Sequence, residues 1–302
     1  MKKNIFLTGC RGQDGQILSS ILQKRKINLF LISRKKKNTK NNRKIISIDL
    51  KNKQEILKLF SKKKPDIVIH LAANNPSYNE KNKNKFYKEN IIITKNLFDS
   101  VFETNLNAKF IFCSSSQIFK KKIGIVNEKS SVRYNSDYTK FRIESDRYMR
   151  SFKKKKGINY TNAILFNHDS IYRNKKFILP RLTSAILKKN YRFIKKMLKE
   201  NIYADFSHAE DICNGLVKLI FSNINFDKII FSSGKLTSLN LIIYQLLRKN
   251  KIDTKIFKKY FKKKKLNIVG DNRTAINKLN WKIKKNIFLA SNELFDFYRK
   301  NV

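Results

Sequence analysis

The residues of this 302-residue chain best suited to binding chemistry are Thr8-Gly9-Cys10-Arg11-Gly12-Gln13-Asp14-Gly15. An apolar run, Asn4–Thr8, leads into them, and apolar residues at helical spacing (Ile17, Leu18, Ile21, Leu22) follow. The glycines therefore fall where a strand ends and a helix begins, the setting in which such a pattern has meaning. There Gly9 and Gly12 let the backbone turn and approach a pyrophosphate, while Gly15 lets the helix pack closely on a sheet. The helix N-terminus adds N–H groups and a partial positive charge for phosphates. At the end of the next strand stand Ser33-Arg34-Lys35 and no acidic residue. An Asp or Glu there would hold a ribose 2′-hydroxyl, whereas Arg accommodates a 2′-phosphate. The pattern predicts NADP over NAD, with Thr8, Gly9, Gly12, Gln13, Asp14, Gly15 and Arg34 at the dinucleotide. Asp49 and Leu50 follow the third strand at the adenine edge, and Leu71-Ala72-Ala73 place small residues beside the cofactor ribose.

The elements that must hold these residues alternate along the first half. Buried-strand runs occur at Asn4–Thr8, Leu29–Ser33, Lys44–Ile48, Asp66–Leu71 and Lys109–Ser114. Helical spacing occurs at Gly15–Lys24, Gln54–Ser61 and Ile91–Phe102. This alternation predicts a parallel, doubly wound α/β sheet of Rossmann type, with helices on both faces. Beyond about residue 165 the pattern is less regular. The expected division is a dinucleotide-binding domain over 1–165 with a return segment near 204–237. Residues 166–203 and 238–302 would then form a smaller substrate-binding lobe. The lysine-rich stretches 35–40, 81–85 and 262–265 read as solvated loops.

Composition excludes more than it assigns. Hydrophobic residues make up 41% and aromatics 12%, enough for a packed core and too many for a disordered chain. The net charge of +46 invites a nucleic-acid reading, but the Lys is spread over nearly the whole chain instead of forming one patch. Abundant Asn and Ile with 8 Gly and 3 Pro fit a sequence drifted toward AT-rich codons, so no specific nucleic-acid partner is expected. Cys10, Cys113 and Cys213 are odd in number and far apart, which predicts neither a disulfide framework nor a metal site. The apolar run Ile5–Leu7 is too short for a signal-peptide core, and no stretch approaches the roughly 18 apolar residues of a membrane span. A cytoplasmic protein without a membrane partner is the expectation.

Several further segments, taken together, resemble the extended short-chain dehydrogenases/reductases of the NAD-dependent epimerase/dehydratase family, and among them the GDP-mannose 4,6-dehydratases. The glycine turn is similar to that group's TGxxGQDG, and Ala163–Ser170 (AILFNHDS) to its GILFNHES. Ala204–Asp211 (ADFSHAED) is similar to RDWGHAKD, and Ser232–Ser238 to ATGxxxS. Ile268–Asn272 with Leu279–Lys282 resembles LLGDPxKAxxxLGWxP, so the likeness runs in order from residue 8 to residue 282. It implies a nucleotide-sugar lyase, acting on GDP-mannose through internal hydride transfer with tightly bound NADP, and a homo-oligomer. It also implies Asn167 at the sugar-nucleotide pyrophosphate and His168 and Arg173 at the cofactor.

The resemblance further assigns a catalytic set. Ser136-Asp-Tyr138 is similar to the family's SPY, which makes Tyr138 the acid/base at a sugar hydroxyl. The cation four residues on is Arg142 where the family has Lys; the i, i+4 spacing puts both on one helix face. A guanidinium keeps the charge but is larger and planar, so the exchange is not conservative. Ser114-Ser-Ser-Gln117 is similar to STSE, giving Ser115 as the catalytic hydroxyl and Gln117 at the place of the family's catalytic Glu. A carboxamide cannot take the proton that elimination removes. The alternatives are therefore an NADP-dependent reductase or epimerase of a 4-keto nucleotide sugar, and a catalytically impaired cofactor-binding homologue. The family's C-terminal Arg-Pro has no counterpart in Tyr260-Phe261-Lys262, which leaves the nucleotide base open.

Overall fold

A computed structural model describes residues 2–34, 45–73, 83–260 and 264–301. The described residues begin with β1 (Asn4–Thr8), α1 (Gln13–Leu22), β2 (Asn28–Ser33), β3 (Ile45–Ser47), α2 (Lys53–Lys63), β4 (Ile67–His70) and α3 (Lys83–Thr104). Then come β5 (Lys109–Ser115), β6 (Gly124–Val126), α4 (Asp137–Lys156), β7 (Asn159–Leu165), β8 (Asn167–Asp169), α5 (Ile178–Leu187) and α6 (Tyr191–Glu200). The chain continues through β9 (Ile202–Ala204), β10 (Phe206–His208), α7 (Ala209–Phe221), β11 (Lys228–Phe231), β12 (Thr237–Ser238) and α8 (Leu239–Lys249). It ends with β13 (Lys265–Leu266), β14 (Ile268–Gly270), α9 (Arg273–Leu279) and α10 (Ile287–Lys300).

Seven strands form one sheet in the order β11-β7-β5-β4-β1-β2-β3, and each neighbouring pair is parallel. This is the doubly wound α/β architecture that the strand–helix alternation predicts. Because successive side chains point to opposite faces, each strand divides its residues between two layers. Ile5, Leu7, Ile111 and Cys113 join the α1 and α7 residues Leu18, Leu22, Ile212 and Leu216 on one face. Phe6, Phe110 and Phe112 join Phe60 of α2, Phe98 of α3 and Phe141 of α4 on the other. The three cysteines lie buried in the first layer as free thiols, and burial pushes those of Cys113 and Cys213 well up.

A separate apolar cluster gathers α5, α6, α8 and α10 around Leu182, Ile194, Ile243 and Phe295. Its helices are strongly two-sided, with α6 burying Ile194, Met197 and Leu198 while Lys196 and Lys199 are exposed. No helix among the described residues is long and apolar enough to cross a membrane.

Two of the expected lysine loops are corrected in part. Lys83–Lys85 already belong to α3, because Phe86, Tyr87 and Asn90 carry the helical repeat upstream of Ile91, and Lys265 pairs with Ile202 in β13. Residues 35–40 and Phe261–Lys263 lie outside the described residues, as does the Lys35 assigned with Arg34.

Candidate active site

The strand order reverses between β1 and β4, since β1 continues to β2 on one side and meets β4 on the other. A crevice at such a switch point, beyond the carboxyl ends of the strands, is where open α/β sheets bind ligands. A cavity of about 1290 Å³ lies there. Gly9, Gly12, Gln13, Asp14 and Gly15 form one part of its wall, with Arg34, Asp49, Leu50, Leu71, Ala72 and Ala73 beside them.

The glycines of the turn are required for different reasons. Gly9 has φ of +69°, and a Cβ there would lie 2.8 Å from the Ala72 nitrogen. A Cβ on Gly15 would lie 2.3 Å from the Gly9 carbonyl oxygen, so the turn folds back on its own helix. Gly12 is different: a Cβ would come no nearer than 3.4 Å to its nearest neighbour, the Gly9 oxygen. The protein's own packing leaves that space open on the cavity side. Gly12 is also the N-cap of α1 and supplies no side-chain cap, which leaves the positive end of the helix for an anionic ligand. This turn fits the pyrophosphate of a dinucleotide.

Thr8 does not line the cavity. Its buried hydroxyl lies 2.8 Å from His70 Nδ1 and accepts the Ala72 N–H at 3.2 Å. His70 Nε2 in turn lies 3.0 Å from Thr94 Oγ1 on α3, so this chain ties β1, β4 and α3 together. Burial, and then the charge of Arg142, push the His70 imidazole down to about 3, which keeps it neutral. At the far end Arg34 is exposed at the tip of β2, and its carbonyl accepts Ser47 Oγ. Asp49 Oδ1 accepts the Lys51 N–H at 3.0 Å.

The residues of two distant motifs meet at α1. Gln13 donates through Nε2 to the His168 carbonyl at 3.2 Å and accepts Ser170 Oγ at 3.1 Å. His168 Nε2 lies 2.9 Å from Asp14 Oδ1, while its Nδ1 lies 2.6 Å from the Phe166 carbonyl oxygen. Burial opposes charge on both partners, but the attraction between them wins. Asp14 falls to about 2, helped by Arg173, and His168 rises above its usual value. Arg173 pairs with Asp169 at 3.1 Å and lies 3.6 Å from the Phe177 ring centroid. His168 and Asp14 thus brace β8 against the glycine turn, and Arg173 is the member of the later motif that reaches the cavity wall. Asn167, the expected pyrophosphate ligand, is exposed and donates to the Asp205 carbonyl at 3.4 Å.

The catalytic candidates are held at the ends of β5 and α4. Ser136 caps α4 in a reciprocal box with Thr139, which fixes the turn carrying Tyr138. Tyr138 is half-buried, and the Arg142 guanidinium lies 5.1 Å from its ring centroid. That guanidinium is buried, stacks near Phe141 and Phe112, and donates to the Cys113 carbonyl. It therefore points inward under the phenol, and its Nε has no hydrogen-bond partner. Ser115 Oγ accepts the Gln117 N–H at 3.3 Å. Gln117 lines the cavity; Ser115, Tyr138 and Arg142 are not among its lining residues.

Reading the sequence alone leaves much of the opposite wall unassigned. Tyr172, Lys176, Phe177, Arg181, Phe193 and Lys196 line it, with Arg181 4.8 Å from the Phe193 ring centroid. Their only sequence signal is a basic–aromatic mixture, which is diluted in a chain so rich in lysine. Conversely, the later motifs are structural staples. The Asp205 carboxylate accepts N–H groups from Ser233, Gly234 and Gly270, and that of Asp211 accepts those of Lys284 and Lys285. Trp281 donates to the Asp211 carbonyl. These contacts tie the segments after residue 204 to one another.

Known proteins resemble this chain in sequence and in fold. GDP-mannose 4,6 dehydratase 1 of Arabidopsis thaliana is 23% identical over 314 aligned positions, covering 94% of this chain and 86% of that relative. GDP-6-deoxy-D-talose 4-dehydrogenase of Aggregatibacter actinomycetemcomitans is 24% identical over 210 positions, 67% of this chain and 66% of the relative. The structure of UDP-glucose 4-epimerase from Thermotoga maritima with UDP-glucose superposes with a TM-score of 0.81 at 18% identity, covering 99% of both chains. The family model for NAD-dependent epimerases/dehydratases matches residues 5–228, from β1 to the start of β11. With that match spanning most of the sheet and the whole glycine turn, the chain belongs to the NAD-dependent epimerase/dehydratase family.

Proposed function

We propose that this chain is an NADP-dependent nucleotide-sugar 4,6-dehydratase acting on GDP-mannose. The observation that carries the reading is the meeting of Gln13 and Asp14 with His168 and Ser170. FNHD is among the segments that resemble the GDP-mannose enzymes more specifically, whereas the glycine motif is shared by many folds; here the two form one hydrogen-bonded unit. The similarity over 94% of the chain to the plant dehydratase supports the same choice. A cavity of about 1290 Å³ exceeds the roughly 300–1,000 Å³ of a single-ligand pocket, as a site for a dinucleotide and a sugar nucleotide together requires. We assign the glycine turn to the cofactor pyrophosphate and Arg34 to the 2′-phosphate. The wall from α5 and α6, with Arg181 and Lys196, belongs to the sugar nucleotide, Arg173 is assigned to the cofactor, and Asn167 to the sugar-nucleotide pyrophosphate.

When bound, the nicotinamide supplies a hydride acceptor and donor. The chain's own work is then to hold and move protons. Tyr138 takes the proton of the sugar C4 hydroxyl and Ser115 orients that hydroxyl. Arg142 lies beside the phenol ring and holds a positive charge 5.1 Å from its centroid. Gln117 holds substrate by hydrogen bonds and moves no proton.

Incubation with GDP-mannose and NADP is expected to give a product lighter by one water; its absence at high enzyme concentration rules the dehydratase out. A second reading, an NADP-dependent dehydrogenase or reductase at C4, is favoured by Gln117 on the cavity wall and by the likeness to the talose 4-dehydrogenase. It predicts oxidation or reduction of a GDP-deoxyhexose at C4 without loss of water.

A further inference from the structure

Four carboxylates line the cavity among the described residues: Asp14, Asp49, Glu89 and Glu200. Asp14 is committed to His168. Asp49 lies beyond β3 and bonds the Lys51 N–H. Glu200 is exposed at the end of α6 and pairs with Lys265 at 3.5 Å. Glu89 stands apart in position. It is half-buried on α3 and shares a helix face with Ile93 one turn on; both line the cavity, as do Ala73 at the end of β4 and Gln117 after β5. The strands that precede Ala73 and Gln117, β4 and β5, are adjacent in the sheet.

The turn carrying Glu89 is rigidly held. Tyr87, two residues earlier, donates to Glu144 of α4, the helix bearing Tyr138 and Arg142. Asn90 is buried, and Thr94 bonds the neutral His70. The turn that bears this cavity-lining carboxylate is thus held against the helix that presents the phenol. We propose that Glu89 is the catalytic acid/base of the elimination, the role for which Gln117 lacks a carboxylate. The inference rests on the dehydratase reading above. Starting from the 4-keto nucleotide sugar, a Glu89 oxygen takes the C5 proton, and the C5–H electron pair becomes the C5=C6 double bond. The C6–O bond breaks with its pair, and the departing oxygen takes the proton from Glu89 to leave as water. Carbonyl conjugation makes the C5 proton acidic enough for a carboxylate. A positioned acid/base is worth about 10²–10⁴ in rate.

The test uses the full chain with GDP-mannose and NADP in deuterium oxide, following cofactor reduction by absorbance and deuterium at C5 of the product by NMR. Glu89→Gln is expected to keep cofactor reduction within about threefold while C5 labelling and water loss fall by ~100-fold or more. Adding Gln117→Glu to that variant is expected to recover both. Glu89→Asp, which keeps a carboxylate, is expected to retain part of the water loss, and it also serves if the Gln variant is unstable. Water loss at the wild-type rate in Glu89→Gln overturns the proposal and leaves the dehydratase reading standing. A wild-type chain that reduces cofactor but never releases water overturns the proposal and the elimination together. No cofactor reduction by any sugar nucleotide overturns the function itself.

Discussion

The two ends of the cavity are built differently. At the dinucleotide end the contacts are made by backbone: a glycine turn, a helix terminus, and short residues after β4. Sequence spacing alone builds the turn and the helix terminus, which span eight consecutive residues, and the pairing of β1 with β4 brings the residues after β4 beside them. At the end proposed as catalytic the groups are side chains from α3, α4 and the end of β5, and their directions are set by what surrounds them. Arg142 keeps the family's spacing from Tyr138, yet its guanidinium turns to the Cys113 carbonyl and the Phe112 ring. Position in sequence predicts where a backbone goes better than where a long side chain points.

If the catalytic end works through the phenol, Tyr138→Phe gives the largest effect. Turnover should fall ~10²–10⁴-fold with NADP binding unchanged, read by steady-state kinetics and cofactor titration. A fall below tenfold breaks the assignment of Tyr138. The backbone end is sharpened by a pair of variants. Gly15→Ala drives a Cβ into the Gly9 carbonyl and should cost about 1–3 kcal/mol in denaturant unfolding. Gly12→Ala should cost less than about 1 kcal/mol yet weaken dinucleotide binding, since its open side faces the ligand. Equal losses of stability in both would remove the distinction between packing and ligand glycines.

The bridge between the two ends should respond to pH. Asp14 lies at about 2 in the fold, below an ordinary carboxylate, so its contribution is present above about pH 4 and is lost as pH falls through 2. His168 is raised, so its contribution is full below about pH 6.5 and is lost as pH rises through its folded value. The thermal midpoint should therefore be highest between about pH 4 and 6.5. Asp14→Asn should lower it by the equivalent of about 2 kcal/mol and flatten both limbs. An unchanged pH profile in that variant would mean that the pair adds nothing. The smallest effect is expected at Arg34, which is exposed. Arg34→Ala should cut the preference for NADP over NAD by about tenfold, from parallel titrations of the two cofactors. No change there would leave the 2′-phosphate to other residues.

The first half of the fold was legible because strand and helix repeats lie within short windows. Asn4–Thr8 matches β1 to the residue, and the runs at Leu29, Asp66 and Lys109 fall within two residues of β2, β4 and β5. Gly9 and Gly15 were equally legible, since a tight turn into a helix admits no Cβ there. The wall from α5 and α6 was not, because Arg181, Phe193 and Lys196 come together only after those helices pack into the second apolar cluster. His70 shows the same limit: in sequence it is one polar residue closing an apolar strand, and only the structure gives it Thr8 and Thr94 as partners.

The sequence by itself determined the parallel α/β order and the anion-binding turn, for these depend on periodicity and on backbone freedom over consecutive residues. Tertiary structure alone decided that Asp14 meets His168 across 154 residues, that Arg142 faces inward, and that Glu89 and Gln117 line one cavity. Those outcomes are fixed by which helix packs on which strand, and a one-dimensional pattern does not hold that information.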